Sequence, residues 1–285
     1  MNISTYQCPK AATRPENISR IIKEIKRADL SRVDISYLVK IVHLLTKGYA
    51  HTSFMLPTGW GKFHRAIKYD HRPSHIGKLS YPPINLANAG RANFANNPVF
   101  YCSGNPIATF FELGINPGDT VALSKWNLIN EIPVTPIGYT IEIFEHLKAN
   151  RKCPSIIPDS VRHPREFRKP NIQINNFFYE VFTNVIDSEN KFLYRLTAVI
   201  AAKFLSINEQ CGIAYPSISM HANAENFAFT RAVADHSLNI ECVTWYRVDS
   251  VKNFTYTVTP LAYADLFDSS GFIEWQPPQS ETAFL

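Results

Sequence analysis

The stretch GIAYPSISMHANAENFAF, residues 212–229, contains two strand-like runs separated by a polar segment. The first run, Ile213 to Tyr215, has the composition of a strand and stops at Pro216, which cannot donate to a sheet ladder. Ser217 follows directly, and a second apolar run begins near Asn226. A small hydroxyl at a strand end, beside a rigid proline, either supports the scaffold or holds a ligand. The sequence around it must decide which.

Further strands are predicted on both sides of this stretch. β-Branched and aromatic residues cluster in short runs at residues 99–101, 120–123, 241–246 and 254–258. Asn105 and Pro106 have N-cap and N1 character and predict a short helix from Ile107 to Leu113. Gly114 closes this helix, and residues 192–205 predict one long buried helix. Strands with a few helices between them predict an α+β fold rather than a doubly wound sheet.

The first fifty residues predict a pair of amphipathic helices. Apolar residues at the i, i+3, i+4, i+7 spacing of one helix face occur twice: Ile18, Ile21, Ile22 and Ile25, then Ile35, Leu38, Val39 and Val42. Asp34 is the predicted N-cap of the second helix, and Gly48 is its stop. The hairpin either docks on the main domain or forms a surface for a partner or a second copy of the chain. We divide the chain into a helical extension, residues 1–54, and a main domain, residues 55–285.

A basic, proline-containing segment interrupts the second half of the chain. Residues 151–176 contain four prolines among basic residues and predict a loop insertion. Within it, RHPREFRK at residues 162–169 is basic with one aromatic residue. The hypothesis we favour is a solvated loop; the alternative is a contact with phosphate or with an acidic partner.

Composition limits the classes of function. A formal charge of +5 on 285 residues permits anionic ligands but does not argue for nucleic-acid binding. The five cysteines are odd in number and form no C-x-x-C pair, which indicates a reducing compartment and no zinc site. Neither a signal-peptide apolar region nor a run of transmembrane length is present, so we expect a cytoplasmic protein without a membrane partner. The G-x-G-x-x-G and P-loop nucleotide motifs are also missing.

Four residues between positions 63 and 114 are candidates for a site. Glu112, among aromatic residues in the last turn of the predicted short helix, points either to water or into a pocket. Tyr101 ends a predicted strand, and the turn at 105–106 brings the chain back, so Tyr101 and Glu112 are expected to face one cavity. Arg65 and Arg91 lie in apolar or turn-like surroundings, where arginine binds a carboxylate or phosphate with two parallel hydrogen bonds. Surface ion pairs are the alternative for both.

A histidine-rich segment, HRAIKYDHRPSH at residues 64–75, is a rival candidate. His64, Asp70, His71 and His75 are all types of metal ligand. His71 and His75 have the spacing of one helix face, but Pro73 between them breaks such a helix. We therefore expect solvated loop histidines and no metal.

The candidate residues together resemble a known family. Arg65, GR-x-N at Arg91, VFY at Tyr101, ATFFE at Glu112 and IAYPS at Ser217 occur in the order and context of the RES domain, which is named for its arginine, glutamate and serine. The later segments ENFAF and RAVADHSLNIECVTWYRV also resemble the C-terminal half of that family.

The resemblance covers roughly residues 60–250 and has two departures from the family pattern. Ala92 replaces the aromatic residue that usually follows GR, and both the N-terminus and the 151–190 region are longer than in compact members. These departures bear on substrate choice and regulation more than on the fold.

The resemblance implies an ADP-ribosyltransferase-like fold that binds NAD. Similar members are toxins of two-gene toxin–antitoxin modules, which either destroy NAD by cleaving its nicotinamide–ribose bond or transfer ADP-ribose to a protein. Their usual partner is a helix-turn-helix antitoxin of the Xre type that blocks the active-site cleft. For this chain we expect NAD as substrate, this class of partner or a second copy of the chain, and no direct nucleic-acid binding.

The residue types suit that chemistry. Cleavage of the N-glycosidic bond develops positive charge on the ribose, which the Glu112 carboxylate would stabilise. Arg65 and Arg91 would bind the pyrophosphate, and Tyr101 would stack on the cationic nicotinamide ring. Ser217 would hydrogen-bond the ribose or position the nicotinamide; no G-x-S-x-G elbow makes it a hydrolase nucleophile. We expect Glu112, Arg65 and Ser217 to be catalytic, with a non-enzymatic nucleotide- or nucleic-acid-binding module as the remaining alternative.

Overall fold

A computed structural model describes residues 3–7, 9–140, 142–143, 164–184, 186, 190–205, 211–217, 224–253, 255–278 and 283–284. Within these residues the fold is mixed α+β, as the sequence predicts, and is built on one eleven-stranded sheet. The strands are β1 (Ile3–Gln7), β2 (His51–Leu56), β3 (Phe63–Lys68), β4 (Phe100–Ser103), β5 (Thr120–Leu128), β6 (Ile132–Pro136), β7 (Gly212–Pro216), β8 (Glu225–Phe229), β9 (Leu238–Lys252), β10 (Thr255–Ala264) and β11 (Ala283–Phe284).

The order of strands in the sheet differs greatly from their order in the chain. It runs β1-β2-β6-β7-β8-β4-β3-β5-β9-β10-β11. Of these neighbouring pairs, β6 and β7 are parallel and the others are antiparallel. Each of the five predicted strands overlaps an observed one, although β5, β9 and β10 are longer than expected.

Helices cover the sheet. They are α1 (Pro15–Arg27), α2 (Ile35–Thr46), α3 (Pro106–Glu112), α4 (Arg165–Thr183), α5 (Leu193–Leu205) and α6 (Arg231–His236). The predicted caps are confirmed: Asp34 accepts from the Ser36 N–H at the start of α2, and Asn105 accepts from the Ile107 N–H at the start of α3. Gly114 follows α3 with φ +59°, a conformation that favours glycine.

The helical hairpin packs on the rest of the molecule. Buried isoleucines and leucines of α1 and α2 share one apolar core with phenylalanines of α4 and α5. Arg195 on α5 donates to the carbonyl of Val33 at 2.6 Å and also to that of Leu30, both in the loop between α1 and α2. The boundary that we predicted between residues 54 and 55 falls inside β2, so the segment that follows the hairpin is already part of the sheet.

One prediction about the second half is wrong. Residues 165–176, which we expected in a loop, belong to the nineteen-residue helix α4, and residues 151–163 lie outside the described residues. Pro170 lies within the helix and is buried. The buried face of the helix continues past this proline, at Phe167, Asn171, Ile174, Phe178 and Val181. Burial of this face outweighs the backbone hydrogen bond that Pro170 cannot make. Helix α4 is therefore a second long buried helix beside the one predicted at residues 192–205.

A buried amide clamp holds α4 against the start of β2. The Asn171 amide donates to the Ala50 carbonyl at 2.6 Å and accepts from the Ala50 N–H at 3.2 Å. Asn175, one turn later, accepts from the Tyr49 hydroxyl at 2.7 Å. Both asparagines are buried, and the Asn171 hydrogen bonds satisfy the N–H and carbonyl of Ala50, which a strand would otherwise have to pair.

Candidate functional site

The sheet separates between β3 and β4. β3 pairs with β5 over six positions, but its pairing with β4 consists of one register pair, His64 with Ser103. Past that pair the two strands diverge, and their next residues face a cavity instead of each other. The site is therefore a consequence of interrupted strand pairing in the middle of the sheet.

The cavity has a volume of about 320 Å³. Its walls come from β3, β4, the ends of α3 and α5, the turn before β4, and the ends of β7 and β8. The lining residues with chemistry to offer are Arg65, Arg91, Tyr101, Thr109, Glu112, Tyr194, Tyr215 and Asn226. Four residues predicted for a site from sequence, two arginines, a tyrosine and a glutamate, thus line one cavity.

Arg65 lies where β3 and β4 part. Its Nη1 donates to the Tyr101 carbonyl at 2.7 Å, and its Nε donates to the Ser80 carbonyl at 3.2 Å. The guanidinium carbon lies 5.4 Å from the centre of the Phe100 ring. Burial lowers the pKa of Arg65 from its ordinary value, but an arginine side chain keeps its charge in proteins. Arg65 is therefore a half-buried cation that also replaces strand pairing.

The two terminal guanidinium nitrogens of Arg91 differ in their partners. Its Nη2 donates to the Asn184 carbonyl at 2.8 Å. Its Nη1 is buried and has no hydrogen-bond partner among the described residues. A buried guanidinium nitrogen without an acceptor is unfavourable, so an anionic group in the cavity would be bound strongly there.

A tight turn before β4 fixes the position of Arg91. The Tyr101 hydroxyl accepts from the Ala92 N–H at 2.7 Å and donates to the Asn93 side chain at 2.8 Å. Gly90 lies so close to both side chains that a Cβ there would be 2.7 Å from each. The turn therefore requires glycine, which gives the Gly-Arg pair a physical reason, and the tyrosine hydroxyl supports the turn while its ring lines the cavity.

Glu112 is the last residue of α3 and lies exposed at the mouth of the cavity. Its Oε1 accepts two hydrogen bonds, from the Ser217 hydroxyl at 2.7 Å and from the Asn226 amide at 2.8 Å. The carboxylate is thus held by Ser217, which follows β7, and by Asn226 in β8. Both alternatives from the sequence apply in part, because Glu112 reaches water and also lines the cavity.

Ser217 is buried beside the Glu112 carboxylate. It follows β7 directly, its backbone N–H donates to the Ala224 carbonyl at 2.9 Å, and the residue is fully buried. The hydroxyl donates to Glu112. The strand-end serine therefore positions another site residue in this structure, whereas the direct contact with the ribose or nicotinamide that we expected stays a prediction.

Sequence reasoning missed the amide on β8 and two tyrosines. Asn226 lies opposite Tyr215 on β7 and opposite Ser103 on β4 in the sheet register, so these side chains share one face. Tyr194 reaches the cavity from α5. Polar Asn226 before Phe227 at the start of β8 was a weak signal of a site residue. Its contact with Glu112 depends on the strand register and joins two residues that are 114 positions apart in the chain.

Burial keeps the uncharged groups of the cavity protonated. It raises the pKa values of the Tyr101 and Tyr215 hydroxyls and of the Cys102 thiol above their ordinary values. These groups therefore act as neutral hydrogen-bonding or apolar surface, and the formal charges lining the cavity are those of Arg65, Arg91 and Glu112.

The histidine-rich segment forms no metal centre among the described residues. The expectation of solvated loop histidines is wrong for His64, which lies half-buried in β3, where burial, with the nearby Lys125 cation, lowers its pKa. His75 caps a turn: its Nδ1 accepts from the Gly77 N–H at 2.9 Å, and its Nε2 lies 2.8 Å from the Ser270 carbonyl. His75 thus ties the chain near residue 75 to the segment near residue 270.

No family model matches the chain, and no curated protein sequence matches it significantly. Among the described residues, no helix is both long enough and apolar enough to cross a membrane.

Proposed function

We propose that this chain is an NAD-consuming enzyme of the RES type that cleaves the bond between nicotinamide and ribose. The observation that carries the proposal is the single cavity lined by one carboxylate, Glu112, and two guanidinium groups, Arg65 and Arg91. A dinucleotide with a cationic ring and an anionic pyrophosphate is complementary to these charges. The cavity volume also falls within the range of small-molecule sites, about 300–1,000 Å³.

The proposed reaction assigns a role to each charged residue. As the C1′–N bond breaks, its electron pair leaves with the nicotinamide nitrogen and neutralises the pyridinium charge. The ribose acquires oxocarbenium character, which the Glu112 carboxylate stabilises. The acceptor, water or phosphate, then attacks C1′, and a water acceptor loses its proton to solvent. Arg65 and Arg91 bind the pyrophosphate, and the Nη1 of Arg91 supplies an unused donor for it.

The aromatic residues of the cavity suit the leaving group. Tyr101, Tyr194 and Tyr215 all line it. Aromatic ring faces attract a cation such as the nicotinamide ring, and they lose part of that attraction once the ring leaves as a neutral molecule. Release of the product is therefore favoured by the same surface that binds the substrate.

Transfer of ADP-ribose to a protein is the second candidate. Glu112 is exposed, and its neighbour Leu113 has 46% of its surface exposed at the mouth of the cavity. An acceptor as large as a protein side chain could therefore approach the carboxylate from solvent. An Xre-type antitoxin, the partner that the resemblance implies, would be expected to cover this same mouth.

The test is incubation of the purified protein with NAD and quantification of free nicotinamide, with and without added phosphate. Release in both conditions identifies a glycohydrolase, and release that requires phosphate identifies a phosphorylase. With NAD that carries a label in its adenine half, appearance of the label on a protein identifies transfer of ADP-ribose. Calorimetric binding of NAD without any release contradicts the proposal and identifies a non-enzymatic binding module.

A further inference from the structure

We infer that Asn226 is a positioning residue for Glu112: its amide and the Ser217 hydroxyl fix one carboxylate oxygen, Oε1, and thereby assign the other oxygen, Oε2, to the ribose. The inference rests on the proposed function, because it specifies which atom of the carboxylate meets the substrate. Asn226 itself acts through Glu112 and not on the reacting atoms.

The two donors converge on the same atom. The Asn226 Nδ2 lies 2.8 Å from Oε1, and the Ser217 Oγ lies 2.7 Å from it. Among the described residues, none hydrogen-bonds to Oε2. As far as the described residues go, the two oxygens of Glu112 are therefore not equivalent, since Oε1 accepts two hydrogen bonds and Oε2 accepts none.

Asn226 is well suited to hold this geometry. It is 6% exposed, and its backbone is paired on both sides, with Tyr215 in β7 and Ser103 in β4. An amide turned the other way would place its own oxygen against the carboxylate, which is repulsive, so the direction of the donor is determined. Glu112, by contrast, is exposed at a helix end.

Positioning matters because Glu112 has few other constraints. An exposed glutamate samples several rotamers and exchanges its two oxygens by rotation about its last bond. Two fixed donors on Oε1 select one rotamer and one oxygen before substrate arrives. Pre-organised charge of this kind costs no reorganisation during bond cleavage. Loss of one donor should therefore lower the rate of the chemical step more than the affinity for NAD.

The kinetic experiment compares Asn226→Ala and Asn226→Asp with the wild type, with exposed Asn176→Asp as the matched control. Asn226→Ala should lower kcat for nicotinamide release about 10- to 100-fold, the effect of one hydrogen bond to a charged group, and leave KM nearly unchanged. Asn226→Asp should be slower still at neutral pH, because it places a like charge beside Oε1. Its activity should rise as the pH falls, because a proton on the introduced aspartate restores a donor to Oε1.

A second readout does not depend on turnover. Crystal structures should show the Glu112 side chain in one rotamer in the wild type, with Oε1 on Ser217 and Asn226, and in more than one rotamer in Asn226→Ala. Asn226→Asp preserves the shape of the side chain and should fold. Wild-type kcat in Asn226→Ala, or an unchanged single rotamer of Glu112 in that variant, would overturn the inference. A wild type that releases no nicotinamide contradicts the proposed function instead, and the crystal structures then decide the Asn226–Glu112 contact.

Discussion

Arg65 and Arg91 line the same cavity but differ in what else they hold. Arg65 donates to two backbone carbonyls, whereas Arg91 has one carbonyl acceptor and one unpartnered buried nitrogen. At the residue scale, Arg65 is therefore a cation that also stabilises the sheet, whereas Arg91 has fewer bonds to the chain.

Alanine variants of the two arginines should therefore behave differently. In a Glu112→Gln background, which keeps NAD intact during calorimetry, either Arg65→Ala or Arg91→Ala should weaken NAD binding by ~1.5–3 kcal/mol. Arg65→Ala should also lower the melting temperature, because it leaves the Ser80 and Tyr101 carbonyls without their donor. Arg91→Ala should melt close to the wild type. Unchanged NAD affinity in both variants would leave the arginines with structural roles alone.

Much of the candidate site could be predicted from residue types and their local context. Glu112, Tyr101, Arg65 and Arg91 lie in short motifs whose turns and caps are local, such as the Asn105 cap of α3. Asn226 could not be predicted in this way, because its contact with Glu112 depends on how β7, β8 and β4 are ordered in the sheet. Strand order is decided by long-range packing, and no pattern within a few residues encodes it.

At the scale of elements, α4 shows where local propensity misleads. Four prolines and a basic run favour a loop at 151–176, yet apolar residues at helical spacing from Phe167 onward are buried against α1 and α5. Burial of that stripe, together with the Asn171 and Asn175 amides, outweighs the cost of Pro170. Helix α2 was predicted because its cap, its apolar spacing and its end agree, but Val39, which we placed on the apolar face, is 49% exposed, and the buried face runs through Leu38 and Val42.

The junction of β2 with α5 predicts a pH dependence of stability. His51 begins β2, stacks on Tyr49 and contacts the ring of Phe204, and burial lowers its pKa to about 4. The unfolded imidazole takes up a proton near pH 6.5, whereas the folded one does so only near pH 4. The free energy of unfolding should therefore be highest above pH 6.5 and fall as the pH drops toward 4, by about 3 kcal/mol in total from this group.

Urea unfolding of the wild type, His51→Phe and the exposed control His43→Gln, at several pH values between 7 and 4, measures this contribution. His51→Phe should show a shallower decline with acidification than the other two proteins. Equal slopes in all three would mean that His51 does not carry the dependence. Glu241, whose pKa the hydrogen bonds from Lys125 and Lys62 lower to about 2, contributes in a lower pH window and does not obscure the comparison.

At the scale of the whole molecule, the helical hairpin supplies none of the described residues that line the cavity, which run from Arg65 to Asn226. The apolar faces of α1 and α2 belong to a core shared with α4 and α5, and this core also includes Tyr215 of the cavity wall. Deletion of residues 1–50 should therefore expose part of that core and lower stability or solubility. Nicotinamide release by whatever fraction stays folded should persist, measured per mole of folded protein. A soluble, well-folded truncation without activity would place part of the catalytic apparatus in the hairpin.

In the proposed function the Glu112 carboxylate drives cleavage of NAD, and a comparison of three rates tests this role. Free nicotinamide is measured from NAD with the wild type, with Glu112→Gln, and with Glu274→Gln, a control at an exposed glutamate far along the chain. The wild type and Glu274→Gln should release nicotinamide at the same rate. Glu112→Gln should be slower by at least ~100-fold, the effect of losing one group that stabilises the transition state, with unchanged NAD affinity. Near-normal release by Glu112→Gln, or none by the wild type, would contradict the claim.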